Sequence, residues 1–283
     1  MKQSEILAIL PAGDLAILVE LGSLDAVLRL QAALQAQPPE GLVDVVAAAS
    51  TVLVVTAGTA DARRIAAHVR ALDLSRAPET DAALVTIDVV YDGEDLAEVG
   101  RLTGLGADGV VNAHTATPWT AAFGGFAPGF AYLAAGDSRL GLPRRATPRT
   151  AVPAGAVALG GAYSAVYPRQ SPGGWQLIGR TDAVLWDLAR TSPALIRHGN
   201  TVQFRAVRAG VLAPDARAAT QSVSPPPVGS DPPAAGLTVL RAGLQSTIQD
   251  LGRPGCAHLG VTVSGALDRG ALRQANRLAG NPV

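Results

Sequence analysis

Lysine is almost missing from this 283-residue chain: Lys2 is the only one, and Met1 and Cys256 are also single. Each shortage removes a class of chemistry. One cysteine cannot build an internal disulfide framework. The four histidines, His68, His114, His198 and His258, form neither H-x-H nor H-E-x-x-H spacing, and no cysteine pair accompanies them. A zinc site is therefore not expected, and no metal is assigned. Lys2 sits at a terminus expected to fray, which excludes an amidase of the Ser-Ser-Lys type. The usual biotin acceptor is a lysine between two methionines, so the chain is expected to carry no covalent biotin. The pattern G-x-x-x-x-G-K-[ST] is also absent, which excludes a P-loop.

Charge is scarce as well. Charged residues make up 16% of the chain and the formal net charge is zero, so there is no basic face for nucleic acid. No run approaches the roughly 18 apolar residues of a membrane span. The first ten residues lack the pattern of a signal peptide, and a cytoplasmic protein without membrane association is expected. Hydrophobic residues reach 48%, enough for a sizeable core.

The patterning divides the chain into four stretches. Residues 14–21 read as a strand, and residues 24–35 place Leu24, Val27, Leu28 and Leu34 on one helical face. Residues 42–57 read as a hairpin around Ser50. Thr59 or Asp61 is positioned to cap a helix carrying Ile65, Val69 and Leu72. A strand at 84–91 follows. This β-α-β-β-α-β order predicts an α+β, ferredoxin-like layer. Helices are predicted at 94–103 and 107–114. GLGADG at 104–109 is glycine spacing without a preceding strand and is discarded as a nucleotide motif. From 119 to 207 short apolar runs alternate with Gly and Pro, which predicts a closed or nearly closed β-barrel. The boundaries are then 1–82 for the first domain, 83–209 for the barrel, 210–235 for a Pro-rich linker and 236–283 for a short third piece.

Three motifs stand out. In GGFAPGFAYL, residues 124–133, the glycines permit tight turns and close approach of a ligand or backbone, and exposed amides in such turns bind anions. A barrel corner with aromatic plugs is the structural alternative. In PRRATPRTAVPAGAVALGG, residues 143–161, Arg144, Arg145 and Arg149 suit carboxylate or phosphate, or pair with backbone carbonyls. In YPRQSPGGWQLIGRT, residues 167–181, Ser171 lacks the G-x-S-x-G elbow and reads as a turn serine. Trp175 reads as core. His114, ending a helix, is the histidine best placed for acid–base work, or for complementing a helix dipole.

Taken in this order, the three runs resemble the KipI-like family, also called allophanate hydrolase subunit 1 and the B subunit of 5-oxoprolinase. Its GF-x-PGF-x-YL segment is matched by residues 125–133, its PR-x-x-PR-x-x-VPAG segment by Arg145, Arg149 and residues 152–155, and its YP-x-x-SPGGW-x-x-IGRT segment by residues 167–181. Arg144 intervenes after Pro143. Asp182 stands where the family usually has proline, and His198-Gly199-Asn200 where it usually has Pro-Gly-Asp. From Leu237 the chain resembles the opening of the companion family, the KipA-like proteins, also called allophanate hydrolase subunit 2 and the C subunit of 5-oxoprolinase.

The resemblance implies a small α+β domain followed by a cyclophilin-like barrel. It also implies a short, incomplete β segment of a second cyclophilin-like unit at 236–283. In function it implies a subunit of an ATP-dependent 5-oxoprolinase that works with subunit-C-like (KipA-like) and subunit-A-like (LamB/YcsF-type) partners. His114, Arg145, Arg149 and Arg180 then become the candidate catalytic groups. Gly125, Phe126, Pro128, Gly129, Phe130, Ser171, Gly173, Gly174 and Trp175 become the candidate substrate contacts. A biotin-dependent carboxyltransferase subunit and a non-enzymatic inhibitor of a sensor histidine kinase are the competing expectations.

Overall fold

The computed structural model describes residues 5–75, 83–134, 136–209, 239–241, 243–244 and 246–282. The expected linker at 210–235 lies outside the described residues. The chain divides into two units, Met1–Leu212 with Pro254–Val263, and Ala213–Arg253 with Ser264–Val283.

The first unit begins with β1 (Ile6–Pro11), β2 (Ala16–Leu21), α1 (Leu24–Ala36), β3 (Leu42–Ala47), β4 (Thr51–Thr56) and α2 (Thr59–Ala71). The four strands form one antiparallel sheet in the order β1-β2-β4-β3. Alternation along β2 and β4 turns Ile17, Val19, Leu21, Val52 and Val54 inward. There they meet Val27, Leu30 and Leu34 of α1 and Ile65 and Val69 of α2. The α1 helix starts at Ser23, whose hydroxyl accepts from the Ala26 N–H at 3.2 Å.

Two expectations about this layer are corrected. The fourth strand comes from residues 6–11, at the edge beside β2, and the strand at 84–89 leaves for the barrel. Leu7 and Leu10 face solvent and Pro11 has no N–H to offer, so the segment does not read as a strand from sequence. An edge position tolerates all three. At α2 the N-cap is Gly58 rather than Thr59 or Asp61, and the Asp61 carboxylate instead accepts from Arg64 at 2.7 Å.

The barrel is built from β5 (Leu84–Val89), α3 (Leu96–Thr103), α4 (Gly106–Ala116), β6 (Trp119–Gly124), β7 (Ala131–Ala134), β8 (Arg149–Val152), β9 (Ala156–Gly160), β10 (Tyr163–Val166), β11 (Ser171–Gly173), β12 (Gln176–Arg180) and β13 (Thr201–Ala206). Seven strands run in the order β12-β9-β10-β7-β6-β13-β5, and β8 and β11 form a separate pair. The sheet is mixed, since β13 and β5 are parallel. Just past β5, Val90 exchanges two 2.9 Å backbone hydrogen bonds with Arg180 of β12, which brings the two edges together and nearly closes the barrel. Ile87, Val89, Leu133, Val157, Leu159, Ile178, Val202 and Phe204 fill the interior. Gly104 and Gly106, with φ of +71° and +69°, turn α3 into α4, so the glycines of 104–109 serve a helix–helix corner.

In the second unit, α5 (Arg269–Leu278) begins at Asp268, whose carboxylate accepts from the Ala271 N–H at 2.8 Å. The expected β segment is not found: no strand occurs among the described residues from 239 onward. Leu240, Leu244, Ile248 and Leu267 are exposed, so the described residues of this unit bury no apolar face that would carry a sheet.

Candidate functional site

The Gly-rich motif is the turn between β6 and β7. Gly125 N–H donates to Phe130 O at 3.2 Å, Phe130 N–H to Ala127 O at 2.9 Å and Ala127 N–H to Gly125 O at 2.6 Å. Those three amides are committed to the turn and unavailable to an anion. Phe126 holds φ of +63°, a costly conformation for an aromatic residue, and is 55% exposed. Gly129, at φ +81°, packs so closely that a Cβ would lie 2.9 Å from Leu185 O. Pro128 sits between them in the same turn. Phe130 points into an aromatic cluster with Tyr132, Tyr167 and Trp175, at ring separations of 5.1–5.7 Å.

The third motif backs this cluster. Trp175 is buried, with Arg144 over its ring at 5.7 Å. Gly173 lies directly against the Tyr167 hydroxyl. Gly174 O accepts from the Arg145 N–H at 2.7 Å, and Ser171 donates to Arg169 O at 3.2 Å, as a turn serine does.

The three candidate arginines converge on one acidic segment that the sequence reading missed. Asp95, 4% exposed, accepts from Arg145 at 2.6 Å, from Arg149 at 2.9 Å and from the Leu177 N–H at 2.7 Å. Glu94 accepts from Arg149 at 3.1 Å, and Asp92 from Arg180 at 2.9 Å. Burial raises the Asp95 pKa, but the donors and the guanidinium charges outweigh it and hold the carboxyl below its ordinary value. The cluster ties the 143–149 loop to the start of α3 and to β12. It presents paired charges rather than free ones.

His114 lies inside the barrel. Its Nδ1 is 2.7 Å from the Tyr91 hydroxyl, its Nε2 is 2.8 Å from the Ser164 hydroxyl, and the ring packs on Trp119 and Phe204. None of it is exposed, and burial pushes its pKa down to about 3. This corrects the expected acid–base role: both nitrogens are engaged and no face is open to a ligand.

A cavity of about 570 Å³ opens elsewhere. One wall is the motif turn, with Gly129 and Phe130. The others are Gln31 and Gln35 of α1, the loop carrying Arg197 and His198, and His258. His198 engages Ala122 O through Nδ1 at 2.8 Å. Asn200 Oδ1 accepts from the Arg197 N–H at 2.8 Å, fixing that loop. Of the expected substrate contacts, Gly129 and Phe130 line this cavity, and Gly125, Phe126, Pro128, Ser171, Gly173, Gly174 and Trp175 are not among its lining residues.

His258 reaches the cavity because residues 254–263 pack on the first layer. Asp44, buried on β3, accepts from the Ala257 N–H at 2.7 Å and pairs with His258 Nδ1 at 2.9 Å. Gly260, at φ +75°, passes beside Ala127 O. Burial raises the Asp44 pKa, and the His258 and backbone hydrogen bonds more than reverse it, leaving it lowered. A 3₁₀ turn, Ala257–Leu259, holds this contact.

Comparison with known proteins places the chain. The chain is 42% identical over 140 residues to the B subunit of 5-oxoprolinase from Escherichia coli O157:H7, covering 48% of the chain and 64% of that protein. It is 36% identical over 138 residues to the B subunit of 5-oxoprolinase from Bacillus subtilis, covering 48% and 58%. The chain thus spans less than two thirds of the length of these relatives. A stretch of 45 residues is 51% identical to the C subunit of 5-oxoprolinase from Escherichia coli, covering 16% of the chain and 14% of that protein. The crystal structure of TTHA0988 superposes with a TM-score of 0.75 at 34% identity, over 94% of this chain and 53% of that one. The Kluyveromyces lactis urea amidolyase shares the fold, with a TM-score of 0.55 at 19% identity over 74% of this chain and 16% of that one. The family model for the carboxyltransferase domain, subdomain C and D, matches residues 7–196, and the chain belongs to that family.

Proposed function

We propose that this chain is a subunit of a 5-oxoprolinase, opening the cyclic amide of 5-oxoproline to glutamate at the expense of ATP. The observation that carries the reading is its 36–42% identity to B subunits of 5-oxoprolinase. The reaction adds water across the lactam C–N bond, so the site must bind a small, planar, carboxylated amide and polarise its carbonyl.

ATP is part of that reading, but the three candidate arginines do not fit it. Arg145, Arg149 and Arg180 cannot serve a triphosphate, because Asp92, Glu94 and Asp95 already neutralise them. No step is therefore routed through nucleotide on this chain, and we assign nucleotide handling to a subunit-A-like or subunit-C-like partner. Arg145 and Arg149 become positioning residues that hold the 143–149 loop. His114 becomes a core group that holds Tyr91 and Ser164.

Glutamate release from 5-oxoproline, measured with and without the subunit-A-like and subunit-C-like partners, tests the reading. ATP-dependent release from the assembled proteins is expected. No release under any pairing overturns it. The family's description favours carboxyl transfer as a second reading. In that case the carboxyl group would arrive on a partner's biotin, because Lys2 is the sole lysine.

A further inference from the structure

The α1 helix buries a polar residue for which its own layer offers no partner. Gln31 falls among Val27, Leu30 and Leu34 on the inward stripe and is 3% exposed. Its Oε1 is buried without a hydrogen-bond partner, and the side chain makes no hydrogen bond among the described residues. Leaving a buried amide unsatisfied costs stability, and folded proteins rarely keep one without use. This one lines the 570 Å³ cavity, a volume suited to a small ligand.

Arg197 lines the same cavity. Its backbone is fixed by Asn200 at 2.8 Å, and its guanidinium has no carboxylate partner among the described residues, unlike those of Arg145, Arg149 and Arg180. The cavity is thus lined by a buried primary amide and by a cation with no carboxylate partner among the described residues. A lactam ring forces its amide to be cis, which puts N–H and C=O on one edge. The Gln31 carboxamide carries the complementary pair of groups, an oxygen to accept from a lactam N–H and an NH₂ to donate to a lactam oxygen. A carboxylate on the ring is the group that suits Arg197.

We propose that this cavity is a binding site for carboxylated lactams, with Gln31 reading the cis-amide edge and Arg197 the carboxylate. The assignment rests on the oxoprolinase reading for its ligand and on the cavity for its geometry. Gln31 is absent from every sequence motif, and its signal is a polar residue within an apolar helical stripe.

Calorimetric titration of the full chain tests the assignment, using 5-oxoproline and 2-pyrrolidinone, which keeps the lactam and lacks the carboxylate. Gln31→Leu is expected to weaken both ligands about tenfold or more. Arg197→Met is expected to weaken 5-oxoproline to a similar degree and leave 2-pyrrolidinone unchanged. Thermal melts of both variants check that they fold. No binding of 5-oxoproline to the wild-type chain, or binding unchanged in both variants, overturns the proposal. The two readings fail separately. Binding lost in the variants, with no glutamate released by any assembly, removes the activity and keeps the site. Glutamate release undiminished by Gln31→Leu removes the site and keeps the activity.

Discussion

At Asp95 one carboxylate holds two guanidiniums and a strand amide, and removing it leaves Arg145 and the Leu177 N–H without an acceptor and Arg149 with Glu94 alone. Breaking such a buried pair costs about 3–5 kcal/mol. Asp95→Asn keeps the shape and loses the charge, and it is expected to lower the unfolding free energy by about 3 kcal/mol in urea titration. His114 gives a pH signature of its own. Its pKa falls from 6.5 in the unfolded chain to about 3 in the fold. The unfolded state therefore binds a proton that the native state refuses. The contribution is complete above pH 6.5 and is lost as pH falls towards 3, at about 1.4 kcal/mol per pH unit. Unfolding midpoints of wild type and His114→Gln across this range should converge as the pH drops.

The same residues show what a sequence can and cannot reveal. The candidate arginines were visible because planar cations beside turns imply anions. Their anions were not, because Asp92, Glu94 and Asp95 lie 50 to 88 positions upstream and meet them only after the barrel closes. His114 looked catalytic for the opposite reason. Nothing local says that Tyr91 and Ser164 will satisfy its two nitrogens from distant strands.

Among the elements, the barrel strands were legible from their short apolar runs, and α1 and α2 from their period. The order of the first layer was misread at its edge, where β1 is half exposed and ends in proline. Turns show how sharply local geometry constrains sequence. Gly155 and Gly199 both hold positive φ, at +79° and +80°, but their surroundings differ. A Cβ at Gly155 would run into Thr181 O, whereas one at Gly199 would meet nothing within 4 Å. Gly199→Ala is expected to cost only the left-handed backbone term, about 1–2 kcal/mol. Gly155→Ala adds a clash with backbone and is expected to lower the melting temperature further. Thermal melts of the two variants side by side check the difference.

For the molecule as a whole, the contact at Asp44 recruits residues 254–263, far along the chain, to the first layer. Asp44→Ala is expected to speed hydrogen exchange across residues 254–263 while leaving the amides of β9 and β12 protected. The pH sign follows from the lowered pKa of Asp44. The contact is fully present above the ordinary carboxylate range and weakens as pH falls through the folded value, so exchange in this segment should rise in acid before the barrel opens.

His258 and the Asp44 that holds it are translated together. Their meeting is therefore a folding step that needs no collision between molecules, and dilution does not weaken it. A tether typically supplies a local concentration on the order of millimolar. A contact of two hydrogen bonds and a turn can stay closed under those terms even at a strength that would not join separate polypeptides at micromolar levels. Stoichiometry follows as well: each cavity receives its own His258, one for one, whatever the expression level.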